Sequence, residues 1–339
     1  MLHILETIVS KGDVHESENT NQSDVDLAAQ EISQLLRPLA ILVSRRPEEL
    51  KDDRATRLQR EVWFNTAVHG ITPGTTLWKT NLEDLQKIAI HSNPLVSEDR
   101  VDQFEGDIEL NSVLRRGMNG PHATEMKKRL AKILPRQEAQ IRGLTYPKVM
   151  FLHSTYLLET LRAEAGHCAE VLSYFIDPSV HEDDMGVCMV AIADEIMKIY
   201  LKRVLSGLHA DCSASYVAVQ LAEMLTVCCH RIPKCQQAAT SCCDKLISQM
   251  PSSLCQKSSL FALLELLTLV WSSCLEAEID EYNWKSTYVS TLGNVTLELS
   301  DDFDFRRRTL NNFYKMARLW ITKVINVAPL DLKGLLQVK

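Results

Sequence analysis

Glycine and proline are scarce in this sequence, which has 12 Gly and 11 Pro among 339 residues. All-β and α/β chains place these residues at many turns, so a chain with few of them favours long helices and few loops. The long periodic segments between these Gly and Pro residues are rich in Leu, Ala, Glu, Gln, Lys, Arg and Met, which are good helix formers. The sequence therefore predicts an all-α fold.

The length of the chain restricts how these helices can pack. A single hydrophobic core stops growing at roughly 250–300 residues, so 339 residues form either two domains or an elongated stack of helices. Short connections between long helices indicate antiparallel neighbours. No motif recurs, so a clean repeat of about 40 residues is not visible. The prediction is an α-solenoid of stacked antiparallel helices, HEAT- or armadillo-like, with about 12 helices.

The pattern of breaks divides the chain into three parts. Residues 1–92 are expected to form N-terminal helical layers, 93–145 an irregular bridging segment with short helices, and 146–339 a helical solenoid. Residues 11–22 read as an exposed loop, so the first helix is expected at 23–44. The other predicted helices are 47–69, 82–91, 108–114, 125–134, 149–165, 167–176, 182–205, 214–230, 234–250 and 256–278. Polar and apolar residues alternate over 287–300. This pattern indicates a short strand or an extended connection that is too isolated to make a sheet.

The last long helix has the clearest apolar stripe, spaced at i, i+3, i+4, i+7, i+8 and i+11. Its members are Phe313, Met316, Ala317, Trp320, Ile321 and Val324. The opposite side carries Lys315, Arg318 and Lys323. The helix at 256–278 is apolar almost all round, so we expect it between two neighbours. Residues 331–339 begin another helix whose apolar residues have no partner, which predicts a truncated solenoid that continues beyond the C-terminus of this sequence.

Charge and hydropathy exclude several classes of protein. The formal net charge of −7 gives no basic footprint for nucleic acid, so no nucleic-acid partner is expected. No secretory signal is visible, and the ten cysteines therefore indicate reduced thiols in a reducing compartment. The most apolar run, 261–271, is far shorter than the roughly 20 residues of a membrane-spanning helix. Any membrane contact is expected to be peripheral or indirect.

Motifs for phosphate or nucleotide binding and for acyl transfer (GxxxxGK[ST], GxGxxG and GxSxG) do not occur. The triplet 302–304, Asp-Phe-Asp, reads as an acidic helix entry, and Glu182, Asp183 and Asp184 as ordinary first-turn acids. His153 lies between apolar residues and is expected to be a core or interface histidine. We predict no catalytic, cofactor-binding or metal-ligating residue and no cofactor.

A cluster of cysteines within sixteen residues is the sharpest candidate for chemistry. It comprises Cys228, Cys229, His230, Cys235, Cys242 and Cys243. Adjacent cysteines on a helix point about 100° apart and chelate a metal poorly, so buried thiols acting as small hydrophobes are favoured over a structural zinc site. A zinc-containing helical protein stays open as an alternative.

Two groups of basic residues also allow more than one interpretation. One comprises Lys127, Lys128, Arg129, Lys132 and Arg136; the other is Arg306-Arg307-Arg308. Both are typical of solvated helix faces, although anionic lipid or an acidic partner would also suit them.

Several apolar segments resemble one protein family. Residues 146–162 read YPKVMFLHSTYLLETLR and are similar to a helix in the non-catalytic solenoid of type III alpha phosphatidylinositol 4-kinases, which carries a Tyr-x-Leu-Glu-x-x-Arg core. Here that core extends from Tyr156 to Arg162. Segments 185–201, 245–267 and 306–329 look similar and occur in the same order, and 61–70, EVWFNTAVHG, fits the fungal branch. The resemblance covers most of the chain, best from about 61 to 329.

The resemblance implies a large lipid kinase that phosphorylates the inositol 4-position at the plasma membrane. It also implies a cytoplasmic protein recruited by tetratricopeptide-type and palmitoylated membrane-anchoring partners. The chain resembles the solenoid alone, without the kinase domain, so no catalytic residue can be carried over. The hypothesis is a non-catalytic scaffold segment that binds the rest of the kinase and its adaptors, with homodimer formation left open. The alternative is an independent HEAT-like adaptor unrelated to lipid kinases.

Overall fold

The structure is a computed structural model that describes residues 1–12, 22–96, 120–181, 183–207, 213–280, 282 and 284–336. Along these residues it contains thirteen α-helices, short 3₁₀ helices and one two-stranded sheet. The α-helices are α1 Leu2–Gly12, α2 Gln22–Arg45, α3 Asp53–Val68, α4 Thr76–His91, α5 Gly120–Ile133, α6 Glu138–Gly143, α7 Tyr146–Ala165, α8 Asp183–Ser206, α9 Ala214–Val227, α10 Pro233–Gln249, α11 Lys257–Ile279, α12 Phe303–Val327 and α13 Pro329–Leu336. The predicted all-α solenoid class is confirmed.

The chain divides into two compact units. Unit 1 comprises Met1–His167 with Asp177–Ile196, and unit 2 comprises Cys168–Ile176 with Met197–Lys339. The predicted division at 92 and 145 stays a prediction.

Unit 1 is built by helices that contact their neighbours in turn. Helix α1 packs against α2 and α3, α2 packs against α4, and α7 packs against α3, α4 and α5. Because three helices surround α7, its residues are buried on nearly all sides between Val149 and Ala163. Stacking of this kind, in which each layer is stabilised by the next, is the packing of an α-solenoid.

Unit 2 follows the same principle around α9, α10, α11 and α12. Helix α9 packs against α10 and α11, and α12 packs against α10 and α11. The predicted apolar stripe of α12 is confirmed at Phe313, Ala317, Trp320 and Val324, which are all buried.

Helix α11 lies between two neighbours, as its all-round apolar sequence predicts. It contacts α9 on one side and α12 on another. By length and composition alone its 23 residues could cross a membrane. The apolar run of eleven residues seen in the sequence, 261–271, underestimates this length. The packing of α11 within unit 2 instead matches that of a core helix.

A β-hairpin lies between α11 and α12, where the sequence predicts no sheet. Strands β1 Thr287–Ser290 and β2 Val295–Glu298 pair antiparallel, with Tyr288 opposite Leu297. Tyr288, Ser290, Val295 and Leu297 are buried, because both strands contact α11 and β2 also contacts α9. A two-stranded sheet needs such packing to be stable. The prediction that this segment makes no sheet was therefore wrong.

Three predicted helix boundaries also differ from the structure. Residues 2–12 form α1, although the first helix was expected at 23. The predicted helix 47–69 is a 3₁₀ helix, Pro47–Lys51, followed by α3, because the Asp52 carboxylate accepts from the backbone N–H of Arg54 and Ala55 at 3.1 and 3.2 Å. Helix α4 begins at Thr76 rather than 82, since the Thr75 hydroxyl caps it by accepting from the N–H of Trp78.

One further difference concerns a short segment. The predicted helix 167–176 is a 3₁₀ helix, Ala169–Ile176. The backbone N–H groups of Cys168 and Ala169 donate to Oε1 of Gln220, which ties the start of this segment to α9. Of the other predicted elements, 125–134 corresponds to α5, whereas most of the 11–22 loop and the helix at 108–114 lie outside the described residues.

Candidate functional site

The cysteine cluster lies where α9 ends and α10 runs back beside it. Cys228, Cys229, Cys235, Cys242 and Cys243 are all buried, and none of them is in a disulfide. The sulfur atoms of Cys228 and Cys243 are 3.8 Å apart. In the sequence Cys228 is adjacent to Cys229 and Cys242 to Cys243, whereas the fold brings together one residue from each of these pairs.

The surroundings of these thiols favour the protonated form. Burial raises the pKa of Cys235 to about 12 and raises the pKa of Cys229 well above its ordinary value. The pKa of Cys243 is also raised, first by burial and then by its contact with Cys228. Metal ligation and nucleophilic attack both require the thiolate. Among the residues that the structure describes, no group of three or more His, Cys, Asp or Glu side chains could hold a metal ion.

His153 lies in the centre of α7 and is 3% exposed. Its pKa is lowered to about 4, mainly by burial and to a smaller extent by the charge of Arg129, against a backbone hydrogen bond that raises it. The imidazole is therefore neutral at physiological pH and packs in the core of unit 1. This agrees with the core histidine expected from its apolar neighbours.

The acidic triplet 302–304 is the entry to α12. Oδ1 of Asp302 accepts from the backbone N–H of Phe305 at 3.0 Å, and Asp304 lies in the first turn. Both positions stabilise a helix N-terminus. The predicted role of the triplet as a helix entry is thus confirmed. Asp183 and Asp184 similarly occupy the first turn of α8, and Glu182 lies outside the described residues.

A buried ion pair in unit 1 explains part of the sequence that carries the family resemblance. Glu159 and Arg162, both in the Tyr-x-Leu-Glu-x-x-Arg core, are 0% and 1% exposed and are joined by a 2.5 Å contact. Nε of Arg162 donates to the carbonyl oxygen of Ala89 at 2.9 Å, and Nη2 donates to that of Ser92. These two carbonyls end α4, where backbone acceptors lack partners within the helix. Arg162 therefore joins α7 to the C-terminal end of α4.

A second buried arginine, Arg306, joins two elements of unit 2 through bonds to backbone carbonyls. Arg306 of α12 donates from Nε to the carbonyl of Ser300 at 2.6 Å and from Nη2 to the carbonyl of Lys285 at 2.9 Å. These carbonyls lie after β2 and before β1, so one side chain holds both ends of the hairpin. The guanidinium also lies 4.1 Å from the ring centroid of Trp284, a cation–π contact. In the sequence Arg306 belongs to the basic group Arg306-Arg307-Arg308. In the structure Arg306 is buried, whereas Arg307 and Arg308 are exposed.

One open cavity of about 450 Å³ lies among α9, the start of α11 and the turn of the hairpin. The charged residues in its lining are Glu223 and Lys257. Burial, and then the charge of Glu170, raise the pKa of Glu223, while a hydrogen bond from Gln220 lowers it. Within the described structure no hydrogen bond links Glu223 to the lining hydroxyls of Thr226 and Ser258. The cavity is therefore a mostly apolar recess, and among the described residues its acid does not activate either hydroxyl as a nucleophile.

The two basic groups differ in how far their charges are engaged. In α5, Nζ of Lys127 donates to the carbonyl of Arg142, and Arg129 pairs with Glu125 at 3.2 Å, while Lys128 is exposed. Arg307 and Arg308 of α12 are both exposed and form no ion pair within the described residues. The α12 group is thus the less neutralised of the two.

The chain is similar over nearly its whole length to two curated lipid kinases. It is 31% identical over 339 aligned residues to phosphatidylinositol 4-kinase STT4 of Saccharomyces cerevisiae, a match that covers 98% of this chain and 18% of the relative. It is 28% identical over 287 residues to phosphatidylinositol 4-kinase stt4 of Schizosaccharomyces pombe, covering 85% of this chain and 15% of that protein. No family model matches the chain. The resemblance found in the sequence is confirmed, and the chain spans less than a fifth of the length of these relatives.

Proposed function

We propose that this chain, which is homologous to a region of phosphatidylinositol 4-kinases, is a non-catalytic helical scaffold segment of such a kinase. In this role it supports the synthesis of phosphatidylinositol 4-phosphate at the plasma membrane by holding the kinase and its partners in position. The observation that carries the proposal is a single match that extends over 98% of the chain to one stretch of a phosphatidylinositol 4-kinase.

The use of polar residues in the structure supports a scaffold role. Arg162 and Arg306, the two largest buried charged side chains, bond to backbone carbonyls that join one element to another. The bonds of Arg162 join α7 to α4, and those of Arg306 join α12 to the hairpin. Both charges are thus used to hold elements together, which supports a proposed role in spacing and binding other proteins.

The partners proposed are the remaining kinase chain and, by the resemblance, tetratricopeptide-type and membrane-anchoring adaptors. The protein is then cytoplasmic and peripheral to the plasma membrane. The similarity to two lipid kinases argues against an independent adaptor unrelated to them.

The test is a chimaera in which this chain replaces the matching segment of S. cerevisiae STT4. In cells depleted of their own STT4, we expect the chimaera to restore phosphatidylinositol 4-phosphate, measured by lipid labelling. The matching segment of S. pombe stt4 is the positive control. The isolated chain, given phosphatidylinositol and ATP, is expected to form no product.

Two results would refute the proposal. One is a chimaera that accumulates normally but restores no product, while the chimaera with the S. pombe segment does. The other is lipid kinase activity in the isolated chain, because a scaffold has none.

A further inference from the structure

Helix α12 is strongly basic, although the chain as a whole is acidic. This helix carries six cations, Arg306, Arg307, Arg308, Lys315, Arg318 and Lys323, against one carboxylate, Asp304. The whole chain, by contrast, has 37 basic and 44 acidic residues. Helix α12 is thus a strongly basic element of an acidic protein.

Two of these six cations are used inside the fold. Arg306 is buried beneath the hairpin, and Nζ of Lys323 donates to Oδ1 of Asp244 at 2.6 Å, which joins α12 to α10. The other four, Arg307, Arg308, Lys315 and Arg318, are exposed. None of the four forms an ion pair within the described residues, not even Arg308 with Asp304 one turn before it.

The four exposed cations share one side of the helix. At about 100° per residue they fall within a sector of roughly 100°, opposite the buried stripe of Phe313, Ala317 and Trp320. From Arg307 to Arg318 they extend over about 16 Å of helix. We call this surface, defined by Arg307, Arg308, Lys315 and Arg318, the basic ridge. It lies on the side of α12 opposite the core and belongs to the surface of one helix rather than to a groove between two elements.

Apolar side chains flank the basic ridge. Tyr314 is 58% exposed on one side, Leu319 is 47% exposed on the other, and Ile325 continues the ridge one turn beyond Thr322. Exposed aromatic and aliphatic side chains next to cations suit the boundary between lipid headgroups and acyl chains. A peptide that binds a helical surface instead uses a groove between elements.

We propose that the basic ridge of α12 docks onto an anionic lipid bilayer. The cations contact negatively charged headgroups, and Tyr314, Leu319 and Ile325 enter the interface beside them. Binding is reversible and weakens in high salt, because each Lys or Arg near an anionic surface strengthens binding only about fivefold. The inference rests on the proposed function only for the expectation that this segment works beside a membrane.

The experiment is sedimentation of the purified chain with vesicles, either of phosphatidylcholine alone or of phosphatidylcholine with phosphatidylserine. The test variant reverses the ridge with Arg307→Glu, Arg308→Glu, Lys315→Glu and Arg318→Glu. A second variant with glutamine at the same four positions introduces no new acids. The matched control changes charge equally at scattered exposed lysines, Lys51→Glu, Lys79→Glu, Lys202→Glu and Lys234→Glu.

We expect the parent chain and the scattered control to bind vesicles that contain phosphatidylserine, and neither to bind phosphatidylcholine alone. The reversed ridge should bind at least roughly 100-fold more weakly, and the glutamine variant should fall between them. Circular dichroism confirms that each variant is folded. At about 1 M salt the difference between ridge and control should largely disappear.

Three results would overturn the proposal. Equal loss of binding in the scattered control would show an effect of net charge alone. Retention of vesicle binding by the reversed ridge would place the lipid contact elsewhere. Absence of vesicle binding by the parent chain would exclude the bilayer, and ridge-dependent binding of a fluorescent Glu-rich peptide would then assign the face to an acidic protein segment. Vesicle binding tests this surface alone, whereas the chimaera tests the scaffold function.

Discussion

Replacing Arg162 by alanine should destabilise unit 1 far more than the loss of an ordinary surface arginine. The substitution removes the partner of Glu159, whose side chain is fully buried, and the two donors that bond to the carbonyls of Ala89 and Ser92. Leaving one member of a buried ion pair without its partner costs about 3–5 kcal/mol. Domain stabilities lie near 5–15 kcal/mol, so Arg162→Ala removes a large share of the stability of this unit.

The chain offers a matched control in Arg142→Ala. Arg142 pairs with Glu138 at 2.5 Å, but the two side chains are 76% and 56% exposed. An exposed i,i+4 pair contributes about 0.3–0.5 kcal/mol, so this variant should unfold almost as the parent chain does. Both changes delete an arginine that pairs with a glutamate of its own helix, but only the Arg162 pair is buried and bonded to carbonyls of another helix.

The assay is urea unfolding followed by circular dichroism, with hydrogen exchange used to assign the transition to α4 and α7. For an m-value near 2 kcal/mol/M, Arg162→Ala should lower the urea midpoint of unit 1 by roughly 2 M. The double variant Glu159→Leu/Arg162→Leu should cost less than Arg162→Ala, because no unpaired charge stays buried. A loss below about 1 kcal/mol for Arg162→Ala, or a double variant equal to the sum of its single changes, would refute this reasoning.

Three further predictions concern other buried groups. A Cβ at Gly186 would lie 2.6 Å from the carbonyl oxygen of Val180, so Gly186→Ala should lower the melting temperature, while Gly334→Ala, which meets no atom within 4 Å, should not. The pKa of His153 is lowered from 6.5 to about 4, mainly by burial. Between pH 7 and pH 5 the unfolded chain therefore takes up a proton that the folded chain does not. The free energy of unfolding should fall by on the order of 2 kcal/mol over this range. His153→Gln should flatten this pH dependence of the free energy of unfolding, and an unchanged slope would contradict the assignment. The nine described cysteines are buried, so they should react with a thiol reagent only when the protein unfolds, and a metal chelator should leave the melting temperature unchanged. Rapid reaction of several thiols in the folded protein, or stoichiometric zinc, would refute this prediction.

Several helices could be predicted because their boundaries are set by local chemistry. Pro233 opens α10, and Gly166 adopts a positive φ of 98° after α7, so the start of α10 and the end of α7 follow from residues that the sequence shows. The amphipathic stripe of α12 similarly predicts which residues are buried. Such features depend only on neighbours a few positions apart.

Elements that depend on distant partners were missed. Helix α1 has 11 residues, too few to be stable alone in water, and it forms because Leu5 and Ile8 are buried against α2 and α3. The hairpin was taken for an isolated segment because nothing in its sequence indicates that Arg306 bonds to the carbonyls on both sides of it.

The candidate sites divide in the same way. The sequence itself shows that the phosphate-binding motifs are absent, and it favours clustered thiols that pack as small hydrophobes. That Cys228 lies beside Cys243, rather than acting with Cys229, depends on how α10 runs back along α9. The basic ridge also needed the fold, because three consecutive arginines look alike until one of them is buried.

The sequence by itself determined the all-α class, most of the long helices and the resemblance to phosphatidylinositol 4-kinases, because helix periodicity, caps and similarity are properties of the linear chain. Only the tertiary structure decided which charges are structural and which are available to a partner. Arg162 and Arg306 became internal contacts, and Arg307 and Arg308 stayed on the surface, because a charge can be buried only where carbonyls or an opposite charge from another element surround it.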